Sequence, residues 1–296
     1  ETLTALLHFS AAPAINFCHS SKLWLEAPLL FPRVRRYVAV DHACRDRLVH
    51  EHGIDEKRIA VLLNFVDLER FKPRLAPLPD RPRRALIFSN YANEQTHLPC
   101  VREACQRAGI ELELAGAGVG RERSNMESML QGYELVFAKA RCALEALAVG
   151  SAVILCDAGG AGPMVTSREF DQLRPLNFGI RTLRNPLHPD FVLREIERYD
   201  ANDATMVSQR VRTTAGHETV IDQLIDLYHE VIEEHRTLGE DAEAEGRAAA
   251  AYLRHLKIDF AAHGAASMRL RERLQGIPLL RGVGNKLVQM IIRERR

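Results

Sequence analysis

The chain has 296 residues, 46% of them hydrophobic and 27% charged, with 40 Lys and Arg against 39 Asp and Glu. That length exceeds the ~100 to 200 residues of one ordinary domain, so two domains are expected, and no apolar run approaches the ~18 to 20 residues that cross a bilayer as a helix. The six cysteines, at 18, 44, 100, 105, 142 and 156, show no CxxC spacing and no clustering with histidine, which argues against a zinc site or a disulfide framework.

The chain opens at Glu1 without the basic-then-apolar pattern of a signal peptide, and reads as cut from something longer. Short apolar runs then alternate with amphipathic segments, the pattern of an α/β protein with parallel sheets. The strands are expected at Ala14 to Cys18, Tyr37 to Val40, Ile59 to Leu63, Ala85 to Phe88, Leu112 to Ala115, Leu135 to Ala138 and Ala152 to Cys156. Helical spacing appears at Ala43 to His52, Leu98 to Ala108 and Arg141 to Val149. Pro73, Pro77, Pro79 and Pro82 interrupt the pattern and mark a linker. The expected division is therefore a partial front domain over 1–72, a linker over 73–84, a second α/β domain over 85–235 and a helical tail over 236–296. With three strands, the front domain is incomplete against the five or six of a doubly wound fold.

The charge is uneven, because the last 46 residues hold ten Lys or Arg against three acids. Apolar residues at helical spacing beside Arg, as in Met268 to Leu274 and Lys286 to Arg293, read either as a packed helix with solvated arginines or as a basic amphipathic helix on an anionic membrane. The membrane reading places peripheral contact in 265–296 and the protein at the cytoplasmic face. Nucleic-acid binding is set aside, because Tyr252 and Phe260 are the only aromatics near the basic residues.

In open parallel sheets, ligands bind at the carboxyl ends of strands, where helix N-termini present free N-H groups. The segment after Leu135-Val-Phe137 reads Ala138-Lys-Ala-Arg-Cys142 and enters a helix closed by Gly150. A diphosphate there would meet backbone donors including Cys142, the helix dipole, Lys139 and Arg141, and Glu145, one turn inside, would accept from ribose hydroxyls. Gly159 and Gly160 make a turn with room for close backbone approach, and Gly116 and Gly118 form a similar loop. Asn90 follows the strand that ends at Phe88. His19, at the end of the first strand, is the candidate catalytic or acceptor contact, with Asp41 and His42 behind it. Asn64 and Asp67 are expected to organise a turn.

Glu145-Ala-Leu-Ala-Val-Gly150, followed by Ala152-Val-Ile-Leu155 and Gly159-Gly160, resembles the donor-site signature of GT-B glycosyltransferases, above all the family 4 retaining enzymes. Tyr37-Val-Ala-Val-Asp41, Arg58-Ile-Ala-Val61 and Asn64-Phe-Val-Asp67 with Phe71 and Pro73 resemble the segment that closes that family's N-terminal domain. The resemblance covers about residues 10 to 235. It implies two Rossmann-like domains, a UDP- or GDP-sugar donor, a glycan or lipid-linked acceptor as in cell-envelope polysaccharide synthesis by bacteria, retention of configuration, and no metal, in keeping with the lack of a DxD motif.

Three departures stand beside it. The family's first glutamate, eight positions before Glu145, falls on Phe137. The loop is compressed and resembles that of MurG-like transferases and of sugar-nucleotide epimerases. The Arg and Lys that commonly follow the first strand of the second domain are replaced by Ser89-Asn-Tyr-Ala-Asn93. Three functions stay open: sugar transfer, sugar-nucleotide epimerisation, and nucleotide or partner binding without turnover.

Overall fold

The computed structural model describes residues 2–23, 26–116, 125–239 and 241–255. Its contacts group into two compact units. The smaller comprises residues 1–12, 29–34 and the described residues from 238 on; the larger comprises 13–28 and 35–237.

In the smaller unit, α1 (Thr2–His8) and a helix over 242–255 are tied together by Arg33. Its guanidinium donates to Leu6 O, Phe9 O and Ala12 O, and pairs with Glu245 at 3.0 Å. At 4% exposure this arginine is buried, so its charge needs those acceptors and the carboxylate. Gly118 and the proposed membrane segment 265–296 lie outside the described residues. Among the described residues, no helix is long and apolar enough to cross a membrane.

The larger unit holds two sheets. The first has the order β1 (Ala14–Cys18), β2 (Val34–Ala39), β3 (Ile59–Val61), with β2 and β3 parallel. Between the last two runs α2 (His42–His50), whose N-terminus is capped by Asp41 Oδ1 accepting from Cys44 N at 2.7 Å. Asp41 therefore acts as a helix cap rather than as a free carboxylate at the strand end.

The second sheet is built from β4 (Arg84–Phe88), β5 (Glu111–Ala115), β6 (Leu135–Ala138), β7 (Ala152–Asp157) and β8 (Gly160–Met164), in the order β5-β4-β6-β7-β8. The first four are parallel and β8 is antiparallel to β7. The turn expected at Gly159 and Gly160 thus leads into a strand. Its sequence, Gly-Ala-Gly-Pro-Met, lacks the β-branched residues that mark one, and Pro163 is tolerated because β8 is the edge.

Alternation along the strands sends side chains to two cores. Leu86, Phe88, Val136 and Ala138 face one, with α4 (Met126–Leu130), α5 (Ala140–Val149), α6 (Phe170–Leu173) and α8 (Ala201–Thr214) contributing. Ala85, Ile87, Leu135 and Phe137 face the other, with α3 (Leu98–Ala108) and α7 (Pro189–Glu197). Each fully buried Leu, Ile or Phe contributes about 1.5–3 kcal/mol. The chain then turns through Ala215, whose carbonyl accepts from Val66 N at 2.9 Å, into α9 (His217–Leu238).

The Pro-rich stretch forms neither helix nor strand, yet it is anchored. Arg74 donates to Ala76 O, Tyr133 O, Gln131 O and Gly150 O, and Tyr199 Oη donates to Pro79 O.

Candidate functional site

The expected site lies at the carboxyl ends of β4, β6 and β7. Strand β6 passes into α5 through one residue, Lys139, because Ala140 takes a left-handed conformation with φ of 53°. A non-glycine residue there costs about 1–2 kcal/mol, so the surroundings must hold it. They do so through its N-H, which donates to Phe178 O at 2.9 Å. Asn177 and Phe178 are left-handed too, at 50° and 51°, so two strained stretches lock against each other beside the helix start.

The strand expected at Leu135 to Ala138 is found as β6, and the helix, expected from Arg141, begins one residue earlier at Ala140, so the loop read over Ala138 to Cys142 shrinks to Lys139. Phe137 is fully buried in the core with Ile87 and Ile154, inside the strand.

Helix α5 is rich in Ala and Leu, and all its residues from Ala143 to Val149 are buried. Gly150 closes it at φ of 104°, and Ser208 Oγ and Arg212 donate to Ala148 O. Among the described residues, no side chain caps the N-terminus. Its positive dipole end, at the carboxyl edge of the sheet, suits an anion.

Glu145 is 8% exposed, and burial pushes its carboxyl above the usual carboxylate range, opposed by Arg141. Arg141 Nε donates to Glu145 Oε1 at 2.9 Å, the two residues sharing one helix face at i,i+4 spacing. The arginine side chain is 74% exposed, so this is a weak, exchangeable pair. The Arg70–Glu127 pair, 3.1 Å apart, also acts on this carboxylate, Arg70 favouring and Glu127 opposing its charge.

Lys139 is held differently. Its ammonium pairs closely with Asp157, at the end of β7, and stands 5.4 Å from the Tyr91 ring centroid. Asp157 is 4% exposed and accepts from Ser89 Oγ at 3.2 Å. The fully buried His97, just before α3, faces the same pair, and burial holds its imidazole below the usual range. Asp157, Ser89 and His97 were not singled out from the sequence. Asp157 did carry a signal, being a lone acid directly after an apolar strand.

The other candidates divide. Cys142 is half-buried at the helix start, and its thiol is pushed up to about 12 by burial, which leaves it a neutral packing group. Asn90 is exposed just beyond β4. A Cβ on Gly116 would lie 2.2 Å from Ser89 O, so its close approach is to the chain's own β4 loop. The same holds for Gly160, where a Cβ would meet Asn185 O at 2.9 Å, while Gly159 is an exposed turn residue. His19 is exposed at the end of β1, stacked on Phe17 with centroids 5.9 Å apart. Among the described residues, no hydrogen bond joins it to the α5 group. Asp67 organises the expected turn, accepting from Glu69 N and Arg70 N.

Asn64 does something else. Its N-H donates to Asn177 Oδ1 at 3.2 Å and its carbonyl accepts from Arg174 at 2.6 Å. Asn177 Nδ2 donates to Val40 O at the end of β2. The 174–178 segment therefore stitches the first sheet to the start of α5. Arg174 is 8% exposed, and burial lowers its guanidinium to about 10. Among the described residues, no group of three or more His, Cys, Asp or Glu side chains is placed to hold a metal ion.

Neither a protein-family model nor a curated protein matches the sequence. Solved structures do match, and they are glycosyltransferases. A glycosyltransferase from Rickettsia africae is 14% identical with a TM-score of 0.48, the match covering 67% of this chain and 64% of that one. TarM from S. aureus, in complex with fondaparinux, alpha-GlcNAc-glycerol and UDP, is 12% identical with a TM-score of 0.46, covering 73% and 51%. The pneumococcal O-GlcNAc transferase GtfA, in complex with UDP and GlcNAc, is 8% identical with a TM-score of 0.44, covering 68% and 46%. The chain thus spans about half to two thirds of the length of these structures. Likeness at this level carries no inference about substrate, which has to come from the chain's own residues.

Proposed function

We propose that the start of α5 is the nucleotide-diphosphate-sugar site of a glycosyltransferase, and that Arg141 and Glu145 are its two principal contacts. The observation that carries this reading is the β6–α5 junction. A helix N-terminus without a side-chain cap among the described residues, its first N-H taken by Phe178 O and the next ones free of a cap, lies at the carboxyl end of a central parallel strand, and a buried carboxylate sits one turn inside, bound to an exposed arginine. A nucleotide would divide that pair: the diphosphate takes Arg141 and the helix N-H groups, and the ribose hydroxyls take the released carboxylate. Because Arg141 is mostly exposed, breaking the pair costs less than about 1 kcal/mol. Lys139, locked to the buried Asp157, shapes the junction and contributes less to phosphate.

The resemblance in Glu145 to Gly150 and Asn64 to Asp67 supports a GT-B, family 4-like enzyme, with a UDP- or GDP-sugar donor, a glycan or lipid-linked acceptor and retention of configuration. On this reading the first sheet is the acceptor-side domain and the second the donor-side domain. Catalysis would rest on positioning and on stabilising the departing diphosphate.

One observation favours a second reading, binding without transfer. Lys139 and Arg141 are each matched by a carboxylate, and the apolar Phe137 stands at the position that in the resembled family carries the first donor-site glutamate, so stabilisation of leaving-group charge is thin. A calorimetric screen of UDP, GDP and their sugars, followed by transfer assays on a panel of glycan acceptors, separates the readings. Nucleotide binding with transfer supports the enzyme. Binding without transfer to any acceptor supports the second reading, and no binding at all refutes both.

A further inference from the structure

A cavity of about 250 Å³ lies between α2 and the segment after Phe178. Lys22, Arg47, His50 and Arg181 line it, with Asp46 and Glu51. Arg47 is 6% exposed, donates to Ser20 O at 2.6 Å, and has a buried Nε without a hydrogen bond, the Glu51 carboxylate being 3.4 Å away. That Nε is enclosed and its charge is met by Glu51, so what Arg47 lends the cavity is the positive field of a buried guanidinium, for which an entering oxyanion would compete with Glu51. Lys22 adds an exposed cation. Arg181 pairs with Asp46 and holds that carboxyl below the usual range. Leaving His50 aside, three cations, Lys22, Arg47 and Arg181, face two carboxylates, Asp46 and Glu51.

The cavity is also close to the proposed donor site along the chain. Phe178 O holds the start of α5, and Ile180 and Arg181, two and three residues later, form the cavity wall. Arg181 donates to Asp46 of α2, so that wall is fixed to the first sheet's helix.

We infer that this cavity is a subsite for an oxyanion on the acceptor, a phosphate monoester or a uronate carboxylate, gripped by Lys22, Arg47 and Arg181. The inference rests on the proposed transferase reading for the word acceptor, but the anion site itself does not.

The test is calorimetric titration of the full chain with inorganic phosphate, glycerol 3-phosphate and glucuronate. A Lys139→Ala, Arg141→Ala background removes phosphate binding at α5. Saturable binding is expected, weakened at least fivefold by Lys22→Glu. Asp46→Asn is expected to tighten it about fivefold, the factor for removing one unit charge at ~4 Å in water. That gain distinguishes a binding role from a structural one, since loss of a purely structural ion pair would not improve affinity. Phosphates binding without glucuronate would assign a phosphate ester, and the reverse an acidic sugar. No saturable binding, or failure of Asp46→Asn to tighten it, overturns the subsite. Nucleotide binding is measured separately in the unmodified chain, so its loss with anion binding intact refutes the donor site and leaves the subsite standing.

Discussion

Replacing Glu145 by Gln separates stability from binding. Glu145 is 8% exposed, and the Arg141 side chain bound to it is 74% exposed, so its charge is poorly compensated. Burial raises its folded pKa above the unfolded value. A carboxyl shifted in that direction contributes stability that is fully present below its unfolded pKa and lost as pH rises through the folded one. At neutral pH, Glu145→Gln is therefore expected to unfold at higher urea concentration than the wild type. The gap should close as pH falls into the carboxylate range, where Glu145 itself is neutral. Nucleotide affinity should move the other way. Two neutral hydrogen bonds to the ribose would replace two charge-assisted ones, a loss of about 2 kcal/mol or roughly 30-fold in Kd. The assays are urea unfolding between pH 4 and 8 without nucleotide, and calorimetry with nucleoside diphosphates at pH 7. A variant that is less stable at neutral pH, or one that binds nucleotide as well as the wild type, would refute the reasoning.

Other substitutions probe the junction. Ala140→Gly should stabilise the protein by about 0.5–1 kcal/mol in urea unfolding, because glycine accepts the left-handed conformation, less the flexibility it adds to the unfolded chain. Asn177→Ala should destabilise by about 2–4 kcal/mol, since it leaves Asn64 N, Val40 O and Arg174 short of a buried partner, and the loss should appear as a lower urea midpoint. Gly116→Ala should cost more than about 3 kcal/mol, or abolish soluble expression, because its Cβ would overlap Ser89 O. Arg141→Ala should weaken diphosphate binding by about 1.5–3 kcal/mol with little change in the urea midpoint, given the exposure of its side chain.

The sequence exposes some of this architecture plainly. Strands β4, β6 and β7 read clearly because both of their faces are buried, which makes them continuous apolar runs. Helix α3 falls where expected, at Leu98–Ala108, since its apolar spacing is helical and Gly109 stops it in a left-handed turn. Strand β8 stays hidden because an edge strand of Gly, Ala and Pro is held by its neighbour and not by its own propensity.

Within the site, Glu145 and Arg141 could be found from their helical spacing. The length of the loop could not, because the one-residue turn depends on a left-handed alanine, held by Phe178 O from 38 residues away in sequence. The Lys139–Asp157 pair is equally nonlocal, since it forms only where two parallel strands end side by side. Asn177 did hold a clue, as asparagine tolerates left-handed backbone, but its bonds to Val40 and Asn64 require the first sheet to be in place.

The measurement that addresses the central claim most directly is a crystal structure of the unmodified chain with a nucleoside diphosphate bound. The account predicts the diphosphate at the N-H groups that open α5 with Arg141 turned onto it, and both ribose hydroxyls within hydrogen-bonding distance of the Glu145 carboxylate. A nucleotide seated elsewhere, or the Arg141–Glu145 pair intact beneath a bound one, would contradict it.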